Sequence, residues 1–249
     1  MKIVAIVQAR MSSTRFPGKV LKTICGKSVL AHVVERVRDC SLLDQIVVAT
    51  TIGDEDDVIV EEANRLKTEI YRGSRENVLS RYYYAAKQFQ ADVVVRITSD
   101  CPLFDSQVLT EMIGTFLKKN SGLESVDYLS NTLERSYPRG LDCEVFYFST
   151  LEKAFLEANK EYEKEHVTPY IYQHPELFRV QQLVNGHAEY ADYRWTLDTA
   201  EDFRFVEVIY LALWQKKHNF RSLDIYRLIE KNPFLLEVNS HIRQKKLGE

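Results

Sequence analysis

The stretch Ile3-Val4-Ala5-Ile6-Val7-Gln8-Ala9-Arg10-Met11-Ser12-Ser13-Thr14-Arg15-Phe16-Pro17-Gly18-Lys19 decides the fold. It opens with an apolar run rich in β-branched side chains, lacking the alternation of a half-exposed strand. Such a run reads as a parallel strand buried on both faces. It stops at Gln8, and a short polar, basic segment follows, with Pro17-Gly18 setting a turn. Proline fixes φ there and glycine tolerates positive φ. Open α/β sheets bind ligands beyond the carboxyl ends of their strands. The loop suits a polyphosphate: backbone N–H groups can cradle an anion, Arg10 and Arg15 can make bidentate contacts, and Lys19 adds a movable point charge. A solvated surface loop is the alternative. Three cations and three hydroxyls within ten residues, directly after a buried strand, weigh against it. The loop is neither G-x-x-x-x-G-K-[ST] nor G-x-G-x-x-G, so the standard P-loop and dinucleotide fingerprints are excluded.

Working outward, apolar strands and amphipathic helices alternate four times. Ser28 caps a predicted helix to Cys40, and Gln45–Thr51 reads as a second buried strand. Gly53-Asp54-Glu55-Asp56-Asp57 opens a helix with acidic residues at its positive end, running to about Lys67. Glu69–Tyr71 is a third strand, Ser74 caps a helix through Gln88, and Ala91–Thr98 is a fourth strand. The pattern predicts right-handed βαβ units in a three-layer αβα sandwich with a mostly parallel sheet. The second half is less regular. Strands are expected at Val126–Ser130, Glu144–Ser149 and Phe178–Leu183, and helices at Thr150–Asn159, Lys164–Tyr172, Thr199–Lys217 and Ser222–Glu230. The chain reads as one domain, residues 1–249, with 120–185 as an insertion that could form a substrate lid or dimer contact.

Bulk properties narrow the function. A formal net charge of -3 argues against nucleic acid as a partner. No apolar run is long enough to span a bilayer. Cys25, Cys40, Cys101 and Cys143 lack metal-ligand spacing and read as reduced thiols of a cytoplasmic protein.

The loop residues carry a resemblance. Gln8-Ala9-Arg10, Ser13-Thr14-Arg15-Phe16-Pro17-Gly18-Lys19, Leu21 and Gly26-Lys27 resemble the signature of the sugar-acid cytidylyltransferases, which include the CMP-KDO and CMP-sialic acid synthetases. The match is best to the spore coat polysaccharide biosynthesis protein F branch, which Gln8 fits where the KDO enzymes carry proline. The resemblance implies a nucleotide-diphospho-sugar transferase-like (GT-A-like) fold. It further implies Mg²⁺-dependent transfer of a cytidylyl group from CTP to a sugar acid, and a homodimer. Ala9, Arg10, Ser13, Arg15, Lys19 and Ser99 would then bind the nucleotide, with Arg10, Arg15 and Lys19 catalytic.

Asp100 follows the fourth strand in Ser99-Asp100-Cys101-Pro102-Leu103 and is the first expected metal ligand. A turn aspartate bonding its own backbone is the alternative. Asp198, in Trp195-Thr196-Leu197-Asp198-Thr199, is the second. Taken alone it reads equally as part of a helix cap, and the resemblance selects the ligand role. Arg72, Ser74 and Asn77, at the tip of the third strand, could read a pyrimidine edge or merely cap a surface helix. Arg139 could hold a substrate carboxylate, with Asp142 and Glu144 on sugar hydroxyls, although a rigid turn explains the same residues. His166 lacks a zinc-pattern partner, so it is either a packed hydrogen-bonding residue or a substrate contact. Two rival functions are a nucleotide-sugar-dependent glycosyltransferase and a non-catalytic nucleotide-binding protein. The first usually needs a D-x-D motif, which Thr98-Ser99-Asp100 lacks.

Overall fold

The computed structural model describes residues 1–122, 125–186 and 188–244. The elements are β1 Ile3–Gln8, β2 Thr23–Ile24, β3 Lys27–Ser28, α1 Val29–Arg38, β4 Gln45–Thr51, α2 Asp57–Arg65, β5 Glu69–Gly73, α3 Val78–Gln88 and β6 Val93–Thr98. They continue with α4 Ser106–Asn120, β7 Tyr128–Ser130, β8 Glu144–Tyr147, α5 Phe148–Glu157, α6 Glu161–His166, α7 Pro169–Tyr172, β9 Val180–Gln182, α8 Ala200–Leu213 and α9 Ser222–Lys231. The central sheet has the order β5-β4-β1-β6-β8-β7-β9, and β2 and β3 form a separate small hairpin.

The first strand behaves as its composition requires. Ile3, Ala5 and Val7 enter the core beneath α1, α4 and α8, while Val4 and Ile6 enter the opposite core beneath α3 and α5. Burying each large aliphatic side chain is worth about 1.5–3 kcal/mol. Strand β1 is flanked by parallel neighbours on both sides, with Gln8 opposite Ala49 of β4 and Thr98 of β6. The chain builds outward to β5 and then returns to the other side of β1. The switch point therefore lies between β1 and β6.

Beyond β6 the regime changes. Strand β8 runs antiparallel to β6, β7 antiparallel to β8, and β9 parallel to β7. Residues 120–185, expected as an insertion, thus supply three strands of the central sheet. Several boundaries differ from expectation. Helix α4 was absent from the sequence reading. Helix α3 is capped by Asn77, whose side chain accepts from Ser80 N, rather than by Ser74. The strand expected to reach Ser149 gives way to α5 at Phe148. The helix expected over Lys164–Tyr172 is broken at Val167, where φ is 74° and ψ is −54°. Thr168 N donates to His166 O at 2.9 Å, closing a tight turn of strained hand on a buried β-branched residue. Helix α8 ends at Leu213, short of Lys217.

Candidate active site

The residues after β1 form the first wall of a cleft of about 770 Å³. Gly18 adopts φ 68°, and its N–H and that of Ser13 both donate to Met11 O, folding the loop on itself. The loop is also held from outside. Buried Asp56 accepts from Met11 N at 2.7 Å, Thr51 N at 3.1 Å and Thr51 Oγ1 at 2.6 Å. This fixes the loop backbone against the end of β4 and leaves the guanidinium of Arg10 projecting from an exposed residue.

The second wall comes from the distant segment Arg194–Asp198. Leu197 N donates to Asp100 O at 2.8 Å, which seats this segment against the end of β6. It also pairs with the Arg139 loop, where Arg139 N donates to Tyr193 O and Trp195 N to Arg139 O. Gly140 permits the approach: its φ is 104°, and a Cβ there would lie 2.6 Å from the Trp195 carbonyl carbon. Fully buried Asp202 locks the segment by accepting from Asp198 N, Thr199 N and Arg194, while Thr199 caps α8.

At the meeting point, Lys19 Nζ donates to Asp100 Oδ2, Asp198 Oδ1 and Leu197 O, each at 2.8 Å. Arg15 and Arg194 reach Asp198 Oδ2 at 2.9 and 3.0 Å. Burial would lower the Lys19 pKa, but the two carboxylates outweigh it and the net shift is upward. Burial pushes Asp100 up, and the Lys19 charge and hydrogen bonds more than reverse this, holding it at about 2. Two carboxylates 98 residues apart in the sequence therefore face one cation.

Of the residues singled out from sequence, Ala9, Arg10, Ser13, Arg15, Lys19, Ser99, Asp100, Arg139, Asp142, Glu144, His166 and Asp198 all line this cleft. Arg72, Ser74 and Asn77 do not. Arg72 pairs with Asp57 and donates to Thr51 O and Gly53 O, and Ser74 Oγ accepts from Asn77 N. These contacts match the capped-helix alternative for that segment. Asp142 pairs with Arg135 at 2.5 Å. Glu144 is buried and accepts from Arg96, Tyr128 and Thr168, so its oxygens are already engaged. His166 is half-buried, and burial lowers its pKa. The guanidinium of Arg139 has no hydrogen-bond partner among the described residues.

Sequence reasoning missed Arg81, Arg96, Arg135 and Arg194. A signal existed for Arg96, a charge inside the apolar run Val93-Val94-Val95-Arg96-Ile97. For Arg194 the signal was its spacing to Asp198 and Asp202, four and eight residues further on. All four cysteines are free. Among the described residues no helix is long and apolar enough to cross a membrane.

With this geometry in place, comparisons are informative. A cytidylyltransferase family model matches residues 4–235. The chain is 40% identical to an uncharacterized protein of Methanocaldococcus jannaschii, covering 100% of this chain and 99% of that one. It is 32% identical to the spore coat polysaccharide biosynthesis protein SpsF of Bacillus subtilis, covering 93% of this chain and 95% of that one. The structure of a cytidylyltransferase from Leptospira borgpetersenii superposes with a TM-score of 0.90 at 33% identity, covering 98% and 100% of the two chains. A CMP-2-keto-3-deoxy-manno-octonic acid synthetase complexed with CTP shares the fold, with a TM-score of 0.63 at 15% identity over 85% of this chain and 99% of that one. The chain belongs to the cytidylyltransferase family, in the SpsF-like branch of the sugar-acid enzymes, and is a nucleotidyltransferase.

Proposed function

We propose that this protein transfers the cytidylyl group of CTP to a hydroxyl of a nonulosonic or KDO-like sugar acid, giving a CMP-sugar and pyrophosphate for surface polysaccharide synthesis. The supporting observation is the convergence of Lys19, Arg15, Asp100 and Asp198 at the ends of β1 and β6. In the reaction the substrate hydroxyl attacks the α-phosphorus and the bond to the β-phosphate oxygen breaks. Such transfers need positioning and charge neutralisation rather than covalent help. Arg10, Arg15 and Lys19 neutralise the charge that grows on the departing pyrophosphate. Arg139, whose guanidinium has no hydrogen-bond partner among the described residues, orients the sugar-acid carboxylate.

The donor set fits Mg²⁺. Asp100 and Asp198 each present an oxygen 2.8 Å from one ammonium, so the two carboxylates converge on a single cationic position. Among the described residues no group of three or more His, Cys, Asp or Glu gathers. Substrate phosphates and water would therefore complete the shell around two carboxylates. When bound, the ion would polarise phosphate oxygens and lower the pKa of the attacking hydroxyl. A homodimer, with the 120–185 segment as lid or subunit contact, belongs to the same reading, and light scattering tests it.

Incubating the protein with CTP, Mg²⁺ and a panel of sugar acids should release pyrophosphate with one acceptor class and form a CMP-sugar. Nucleotide binding without turnover on any sugar would instead favour a non-catalytic nucleotide-binding role.

A further inference from the structure

Arginine donates hydrogen bonds and accepts none. Buried Arg194 spends its donors on three partners: Nε and Nη2 on Asp202, Nη2 also on Asp198, and Nη1 on Gln244 Oε1 at 2.7 Å. The last contact brings a late part of the chain into the site. After α9 the chain passes through a short 3₁₀ helix, Pro233–Val238, to Asn239. Asn239 is 2% exposed and donates from Nδ2 to Arg194 O at 2.9 Å and to Asp202 Oδ1 at 3.0 Å. Five residues later Gln244 is exposed and lines the cleft. One segment is thus hooked twice onto the arginine that holds Asp198. Both hooks lie past residue 235, where the family match ends.

The contact to Arg194 also decides which way the carboxamide of Gln244 is turned. Only an amide oxygen can accept from a guanidinium, so Oε1 is committed to Nη1 and Nε2 is left over. Among the described residues Nε2 has no hydrogen-bond partner. Turning the amide over would set donor against donor at Arg194, so what Gln244 offers the cleft is a donor. We propose that Gln244 binds the acceptor substrate, its Nε2 donating to a hydroxyl oxygen of the sugar acid. This rests on the cytidylyl-transfer reading. Arg194 stands opposite Arg139 in an isolated parallel bridge, so Gln244 meets the cleft through the neighbour of the residue proposed to hold the sugar-acid carboxylate. The loop after β1 comes from the other wall and already brings three cations. Phosphate oxygens call for such charges, whereas a sugar hydroxyl is matched by a neutral donor.

The test is steady-state pyrophosphate release by the full-length wild type, Gln244→Ala and Gln244→Glu, with CTP, Mg²⁺ and KDO or sialic acid as probe acceptors, beside equilibrium binding of CTP without sugar. Gln244→Ala should raise the acceptor KM by about three- to tenfold, with kcat little changed and CTP affinity unchanged. Gln244→Glu keeps an oxygen for Arg194, and so keeps the tether, but has no donor. It should raise the acceptor KM at least as far. CTP affinity reports any effect of the added charge alone, since the triphosphate is the more highly charged ligand. A raised acceptor KM in Gln244→Ala with a wild-type value in Gln244→Glu makes the residue a tether only and overturns the proposal. A wild-type acceptor KM in both variants overturns it, and so does a loss of CTP affinity as large as the rise in acceptor KM. Wild type that releases no pyrophosphate with either probe or any other sugar acid removes the cytidylyl-transfer reading itself.

Discussion

The two halves of the sheet solve different problems. Strands β5, β4, β1 and β6 are parallel, and their loops all emerge at one edge. Residues placed just past the two central strands β1 and β6 join a shared crevice for topological reasons alone, whereas the tip of the edge strand β5 does not reach it. On the other side, β8 reverses direction against β6. There the cleft is lined not by strand ends but by side chains projecting from the sheet face, such as Arg96 and Glu144, held by a buried network. In the phosphate half, proposed to hold the phosphates, the charges pair where loop, strand end and the Arg194–Asp198 segment meet in the cleft. In the acceptor half, proposed to hold the sugar, Glu144 is bound into a buried network on the sheet face. Loss of a charge should accordingly damage chemistry in the first half and architecture in the second.

The largest expected effect tests the phosphate half. Lys19→Ala should raise the reaction barrier by about 2–4 kcal/mol, the scale of losing one preorganised charge stabiliser. Asp100→Asn should lose most turnover with the fold intact, both followed by steady-state pyrophosphate release. Near-normal kinetics in Asp100→Asn would remove that carboxylate from the site. Next comes Glu144→Gln in the acceptor half. Leaving Arg96 with a neutral partner should cost about 1–3 kcal/mol of stability by denaturant unfolding. CTP affinity should be retained, and if it fell as far as in Lys19→Ala the contrast between the halves would fail.

A pH series sharpens the same contrast. Asp100 is depressed in the folded state, so its contribution is complete above the ordinary carboxylate value of 3.8 and is lost as pH falls toward about 2. Lys19 is raised, so its contribution is complete below 10.5 and is lost at higher pH. Thermal midpoints should therefore show no dependence on this pair between those limits, and Asp100→Asn should flatten the acid limb. The smallest effect is expected from Arg72→Ala. Its ion pair with Asp57 is partly solvated, and its loss should change stability by about 0–1 kcal/mol and leave CTP affinity unchanged.

Legibility followed the same divide. Ile3–Val7, the loop to Lys19, Asp100 and the caps at Ser28 and Thr199 were readable because each rests on local chemistry: a buried run, a turn, a strand end, a hydroxyl before a helix. Parallel topology then brought the loop and Asp100 together without further information. Helix α4 was legible but went unread, since Val108, Leu109, Met112, Ile113 and Phe116 recur at helical spacing. The Glu144 network was not legible. Its partners Arg96 and Thr168 lie 48 and 24 residues away, and no local pattern pairs them. Arg72 misled because it stands at a strand end, yet β5 is the edge strand and its tip turns toward Asp57 instead of the cleft.

Asp56 has a consequence for how this enzyme would be mapped. It lies outside the cleft lining, yet it grips the backbone from which the side chains proposed to bind phosphate hang. A survey scored on turnover alone would flag position 56 as part of the machinery, although the reaction itself has no use for its carboxylate. The damage would be looseness: the cationic side chains would still be present, attached to a support that no longer holds still.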